Sequence, residues 1–125
     1  MRCIATALTL TAIAFSGASA AEPEPAMTAE DLQQLCTGED HVSRNACRIY
    51  ILGVTQGIAL GLHLLGRDHH PPRPCVPAGV SAEALERTVK EKLADDLTAH
   101  PQDRQREAAG FIGAALAAVF PCSKQ

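Results

Sequence analysis

Cys75 and Cys122 bracket the stretch that most constrains this chain, because the residues between them read as one helical hairpin with a matched pair of ends. Cys75-Val76-Pro77-Ala78-Gly79-Val80 carries turn chemistry. Ser81 then stands as an N-cap before Ala82-Glu83-Ala84-Leu85, with Glu83 in the first turn, where the helix dipole favours an acid. Leu85, Val89, Leu93 and Leu97 recur every fourth residue while Glu86, Arg87, Lys90, Glu91, Asp95 and Asp96 occupy the other sides. That is the pattern of a surface helix with one buried stripe. His100-Pro101 ends it, since the residue before a proline is pushed out of the α region. Pro101 can also open a second helix, with Asp103 in its first turn. Ala108, Phe111 or Ile112, Ala115, Leu116 and Val119 keep helical spacing until Phe120-Pro121. The spacing predicts two helices of similar length, each about 25 Å, joined by a very short turn and therefore antiparallel. Cys75 and Cys122 then arrive at the same end of the pair, where a disulfide would clamp it.

Four blocks of residues carry a resemblance. They are Cys47, Tyr50, Gly53 and Gly57; Cys75-Val76-Pro77 with Gly79-Val80-Ser81; Leu93 with His100-Pro101; and Ala115-Leu116-Ala117 with Phe120-Pro121-Cys122. In that order they resemble the Rap/Tai family of immunity proteins, which protect bacteria against peptidoglycan amidases delivered by type VI secretion. The resemblance runs from about Cys36 to Cys122 and implies an immunity domain over residues 28–122. It also implies a protein that obstructs an amidase active site and often acts as a homodimer. Gln56 stands where the family pattern would place an acid beside the glycine, and the linker before Cys75 looks private to this chain.

Met1 to Ala20 combines a lone Arg2, an apolar run through Phe15 and the small-residue site Ala18-Ser19-Ala20, which predicts a cleavable signal peptide and a periplasmic location. Cys3 falls in that segment. The remaining cysteines, Cys36, Cys47, Cys75 and Cys122, are even in number in an exported chain, so two disulfides are the expectation. Spacing alone leaves the three pairings open; Cys36–Cys47 with Cys75–Cys122 is the one that closes two local helix hairpins. No Cys-x-x-Cys pair is present to support a thiol oxidoreductase, zinc ribbon or c-type haem site.

Residues 21–27 read as a flexible tail rich in Pro and Glu. Thr28-Ala29-Glu30-Asp31 resembles a capping start for a first helix carrying Leu32, Leu35 and Cys36, although Asp replaces the Glu or Gln of a capping box. A second helix is expected from near Ser43 to Leu65, with Cys47, Tyr50, Ile51, Val54, Ile58, Leu62 and Leu65 at three- and four-residue steps. The whole is an all-α, four-helix domain made of two disulfide-linked helix hairpins.

Gly53, Gly57 and Gly61 fall four apart on the second helix, each costing roughly 1 kcal/mol against alanine, so something is expected to approach them closely. The ordinary reading is tight packing in the monomer core; the sharper one is a homodimer face. Residues 49–66 lack charges and would also suit a membrane span, which Thr55, Gln56, His63 and the cysteine near the start argue against. Past this helix, the linker Gly66 to Pro74 is the most polar, proline-rich piece, a stiff connector or a loop presented to a partner. Arg67, Asp68, His69, His70 and Arg73, with Glu83 and Arg87 of the third helix, are the candidate partner-binding residues. Metal binding by His63, Asp68, His69 and His70 is disfavoured, since adjacent histidines on a proline loop do not set tetrahedral geometry.

No catalytic constellation is expected. Ser81 is explained as a cap, the cysteines as disulfides and the acids from Glu83 to Asp96 as a solvated face, and no phosphate loop or nucleotide fingerprint is present. The formal charge of −3 becomes about −4 once Arg2 is removed, with acids and bases interspersed, which excludes the basic footprint of a nucleic-acid binder. No cofactor is expected. Residues alone show an exported, disulfide-linked, all-helical domain; the alternative to the immunity reading is a general envelope protein, stress- or holdase-like, whose five histidines offer a trigger in acid.

Overall fold

In a computed structural model the described residues are 26–65 and 73–122, and they form four α-helices with one 3-10 turn and no strands. The predicted signal peptide and the linker residues Arg67, Asp68, His69 and His70 lie outside the described residues. Helix α1 spans Ala29–Thr37, α2 His41–Leu65, α3 Ala82–Ala99 and α4 Ala108–Val119. Helix α1 packs on α2 and α3 on α4, while α2 also lies against α3 and α4, so the two hairpins share one core.

Local chemistry sets each start. Thr28 Oγ1 accepts from the Asp31 amide at 3.2 Å, and Asp31 Oδ2 accepts from the Thr28 amide at 3.0 Å, so the shorter acid completes a full capping box. Those bonds hold the Asp31 carboxyl below its usual pKa, the Thr28 hydroxyl first and its amide second. Helix α2 begins two residues before Ser43 because Asp40 caps it, accepting from the Ser43 amide at 2.9 Å and the Ser43 hydroxyl at 2.6 Å. The α1–α2 turn requires glycine at 38, where an added Cβ would lie 2.5 Å from Ser43 Cβ. Gly79 takes a φ of 91°, open to glycine at little cost, and turns the chain into α3, where Ser81 Oγ accepts from the Ala84 amide at 3.2 Å.

Leu85, Val89, Leu93 and Leu97 of α3 are all buried, as the four-residue repeat predicts. They meet Ala29, Leu32 and Cys36 of α1, Cys47 and Ile51 of α2, and Ala108, Ile112, Ala115 and Leu116 of α4. On α4, a Cβ at Gly113 would lie 3.5 Å from Ile58 Cδ1 of α2, an ordinary packing distance. Both disulfides follow the hairpin pairing: Cys36–Cys47, with Cα atoms 5.0 Å apart, and Cys75–Cys122, with Cα atoms 4.8 Å apart.

The connection between α3 and α4 departs from expectation. A single helix from Pro101 is replaced by a 3-10 turn over Pro101–Gln105, an extended pair at Arg106 and Glu107, and a 12-residue α4 that is shorter than the 18-residue α3. The reason is tertiary. The Ala29 amide donates to the Arg106 carbonyl at 2.8 Å and the Ala108 amide to the Met27 carbonyl at 2.9 Å, which requires residues 106–107 to be extended beside the entry to α1. At the other end of the hairpin Pro74 and Pro121 form a matching bridge, with the Cys75 amide donating to the Phe120 carbonyl at 2.7 Å.

Candidate interaction surface

Arg48 is the centre of the charged surface between α2 and α3. Its Nε lies 2.9 Å from Glu86 Oε2 and its Nη1 3.1 Å from Glu83 Oε1, so one guanidinium bridges two carboxylates a helical turn apart. Lys90 Nζ approaches Glu86 from the next turn at 3.9 Å. The hydrogen bond to Glu86 is the main cause that raises the Arg48 pKa further. The Glu83 carboxyl is lowered first by its own backbone amide at the free start of α3 and then by Arg48. Arg48, Glu83, Glu86, Arg87, Lys90 and Glu91 line a shallow depression of alternating charge. Exposed ion pairs of this kind add little to stability, typically about 0–1 kcal/mol, but they fix the positions of groups that a partner meets.

A second depression lies where the 3-10 turn meets α4, among Asp96, His100, Asp103, Arg106, Glu107 and Phe111. Arg106 is held over the Phe111 ring with 5.6 Å between guanidinium carbon and ring centroid, and its Nη1 is 3.3 Å from Asp103 Oδ2. Tyr50 is held neutral over a wider pH range, its hydroxyl pKa raised by burial first and by the Glu107 charge second. Among the described residues no group of three His, Cys, Asp or Glu side chains is placed to hold a metal ion.

Of the sequence-derived candidates, Glu83 and Arg87 share one exposed face, on the rim of the Arg48 depression. Arg73 is half-buried and its carbonyl accepts from the Cys122 amide at 3.3 Å, so its backbone belongs to the clasp at the foot of the second hairpin. Sequence reasoning passed over Arg48 and Glu86. A signal was present: Arg48 is the last charge before the uncharged run from Ile49 to Gly66, and a cation at such an edge has a carboxylate to find.

The glycine ridge contradicts the core-packing expectation. Among the described residues a Cβ at Gly53, Gly57 or Gly61 would meet nothing within 4 Å, and Gly53 and Gly57 are exposed. Large apolar side chains lie out with them: Ile49 is 60 % exposed, Leu60 58 % and Leu64 71 %. The core takes Cys47 and Ile51 from one side of α2, and α1, α3 and α4 do not reach the opposite side. By length and composition α2 could cross a membrane. Its Cys47–Cys36 bond and its Arg48–Glu86 pair tie it instead to α1 and α3.

A family model described as Rap1a immunity proteins matches residues 28–122, from the α1 cap to the last cysteine. No curated protein and no solved structure matches the chain.

Proposed function

Since this chain belongs to the Rap1a immunity protein family, we propose that it is a periplasmic immunity protein that binds a peptidoglycan amidase delivered by type VI secretion and obstructs its active-site cleft. The observation that carries the reading is the family match, which spans all four helices and both disulfides rather than one motif. Two disulfides suit an oxidising compartment, in keeping with the signal peptide read at Met1 to Ala20.

The contact is made by the ordered charges of the Arg48 depression, with Glu83 and Arg87 on its rim, and by Arg73 and the linker residues Arg67, Asp68, His69 and His70. A standard interface takes about 800 Å² from each partner, which one helix face with an adjoining loop can supply. Pre-set ion pairs leave less side-chain entropy to lose on docking. The protein acts as a homodimer and by occlusion, with no chemistry of its own.

The test is peptidoglycan hydrolysis by a type VI amidase titrated with the oxidised mature chain. Activity that falls to the background at one equivalent, and that is restored by Arg87→Glu, supports the reading. Full hydrolysis in excess of the chain, across amidases of the class, sinks it.

A second reading, a general envelope binding protein of the same fold, is favoured by the exposed apolar row on α2. It requires binding of many unrelated unfolded clients that rises in acid, whereas immunity requires one partner at neutral pH.

A further inference from the structure

Both ends of the second hairpin carry the same dipeptide, Pro74-Cys75 before α3 and Pro121-Cys122 after α4. Proline has no amide to give, and here none is needed. Pro74 and Pro121 face each other in the antiparallel bridge, and its two hydrogen bonds come from the cysteines: the Cys75 amide donates to the Phe120 carbonyl at 2.7 Å and the Cys122 amide to the Arg73 carbonyl at 3.3 Å. Pro74 is buried, and Val76 and Phe120 beside the bridge pack against the core. None of these contacts uses a sulfur atom. The ladder therefore holds the two cysteines within bonding reach, Cα atoms 4.8 Å apart, before the bond between them is made as well as after.

We propose that Cys75–Cys122 is closed on the already folded domain, with Cys75 as the sulfur that meets the oxidant and Cys122 as the one that resolves it. Burial separates the two roles. Cys75 is exposed and Cys122 half-buried. The Cys75 thiolate attacks a disulfide donor, a small disulfide or a protein of that class, forms a mixed disulfide and expels one donor thiolate. The Cys122 thiolate then attacks Cys75 Sγ, the bond from Cys75 Sγ to the donor breaks and the second donor thiolate leaves. Two electrons pass to the donor, and the two cysteine protons end on its thiols. Cys36 and Cys47 offer no such entry once the helices have packed, because both are buried in the core shared with α3 and α4. Their bond is made first. The outer bond is the last covalent step in making the domain, and when a reductant opens it the ladder lets it form again without unfolding.

The test uses the oxidised mature chain without any amidase, so that its outcome is separate from that of the immunity reading. Mild dithiothreitol opens the outer bond, the reductant is removed and oxidised glutathione is added. The opened chain keeps its helix content by circular dichroism, and ring closure is roughly tenfold or more slower in urea, where the ladder is lost. In Cys122→Ala the remaining Cys75 takes up glutathione roughly fivefold or more faster than Cys122 does in Cys75→Ala. Refolding of the fully reduced chain in the same oxidant, quenched with acid and mass-tagged, shows the species with Cys36–Cys47 alone before any with Cys75–Cys122 alone. An opened chain that loses its helices, closure as fast in urea, equal or reversed reactivity of the two thiols, or a species with Cys75–Cys122 alone that comes first would each overturn the proposal.

Discussion

Thr28 and Glu107 lie opposite one another in an antiparallel bridge that ties the entry of α1 to the entry of α4, although they are far apart in sequence. The bridge makes a counterintuitive prediction. Proline is favoured at the first position of a helix, yet Ala108→Pro should destabilise the domain by about 1–3 kcal/mol, because the Ala108 amide donates to the Met27 carbonyl at a fully buried residue. Chemical denaturation measures it. A neutral or stabilising result would mean that the bridge contributes nothing.

The outer disulfide closes the longer loop. Replacing Cys75 and Cys122 together by alanine should cost on the order of 4 kcal/mol and Cys36 with Cys47 on the order of 3, by chain entropy over separations of 47 and 11 residues. Thermal unfolding should show a fall of well over 10 °C for the outer pair. An unchanged melting temperature would remove the clamp from the picture.

The two disulfides also differ in access. Cys36 is 3 % exposed and Cys47 fully buried, whereas Cys75 is exposed and Cys122 half-buried. Graded dithiothreitol followed by a maleimide mass tag should therefore open Cys75–Cys122 first. Equal or reversed order would contradict the burial.

Two glycines of the same chain should respond oppositely to alanine. Gly61→Ala should stabilise the monomer by up to about 1 kcal/mol, since the new methyl meets open space and the helix gains propensity. Gly38→Ala should destabilise it, because Ser43 stands in the way. Denaturant midpoints at low protein concentration decide both.

Acid should weaken the α1 and α2 caps. Asp31 and Asp40 have folded pKa values held below the ordinary carboxylate range by the hydroxyl and amide bonds of Thr28 and Ser43. A depressed folded value gives stability that is fully present above the unfolded pKa and is lost as pH falls through the folded one. Melting temperature should thus drop below about pH 4. The drop should be smaller in Thr28→Ala with Ser43→Ala, and an equal drop in that variant would place the acid sensitivity elsewhere.

The helices could be read because their signals are local. Ser81, Gly79, Pro101 and the Leu85 to Leu97 repeat act within a few residues of themselves, and the antiparallel second hairpin brought Cys75 and Cys122 to one end, while spacing alone left the three cysteine pairings open until the structure joined Cys36 to Cys47 and Cys75 to Cys122. The late start of α4 could not be read, because it is imposed by Met27 and Thr28 from the far end of the chain. The glycine ridge was harder still. Period and composition show that a helix side is apolar and shallow, but not which of two apolar sides the rest of the chain covers; Ile49 and Ile51 are equally apolar, and only the packing puts Ile51 inside. On the candidate surface, Glu83 and Arg87 were legible as exposed charges, while the Arg48 bridge that organises them joins two helices and has no local signature.

The central claim is selective inhibition by binding. The most direct measurement mixes the oxidised mature chain with proteins secreted by type VI systems, recovers what it retains, and assays that partner on peptidoglycan with and without the chain. One stoichiometric amidase whose hydrolysis stops when bound, and resumes with Glu83→Lys and Arg87→Glu, is the predicted result. An amidase that is bound but stays active, a spread of unrelated clients, or no partner at all would contradict it.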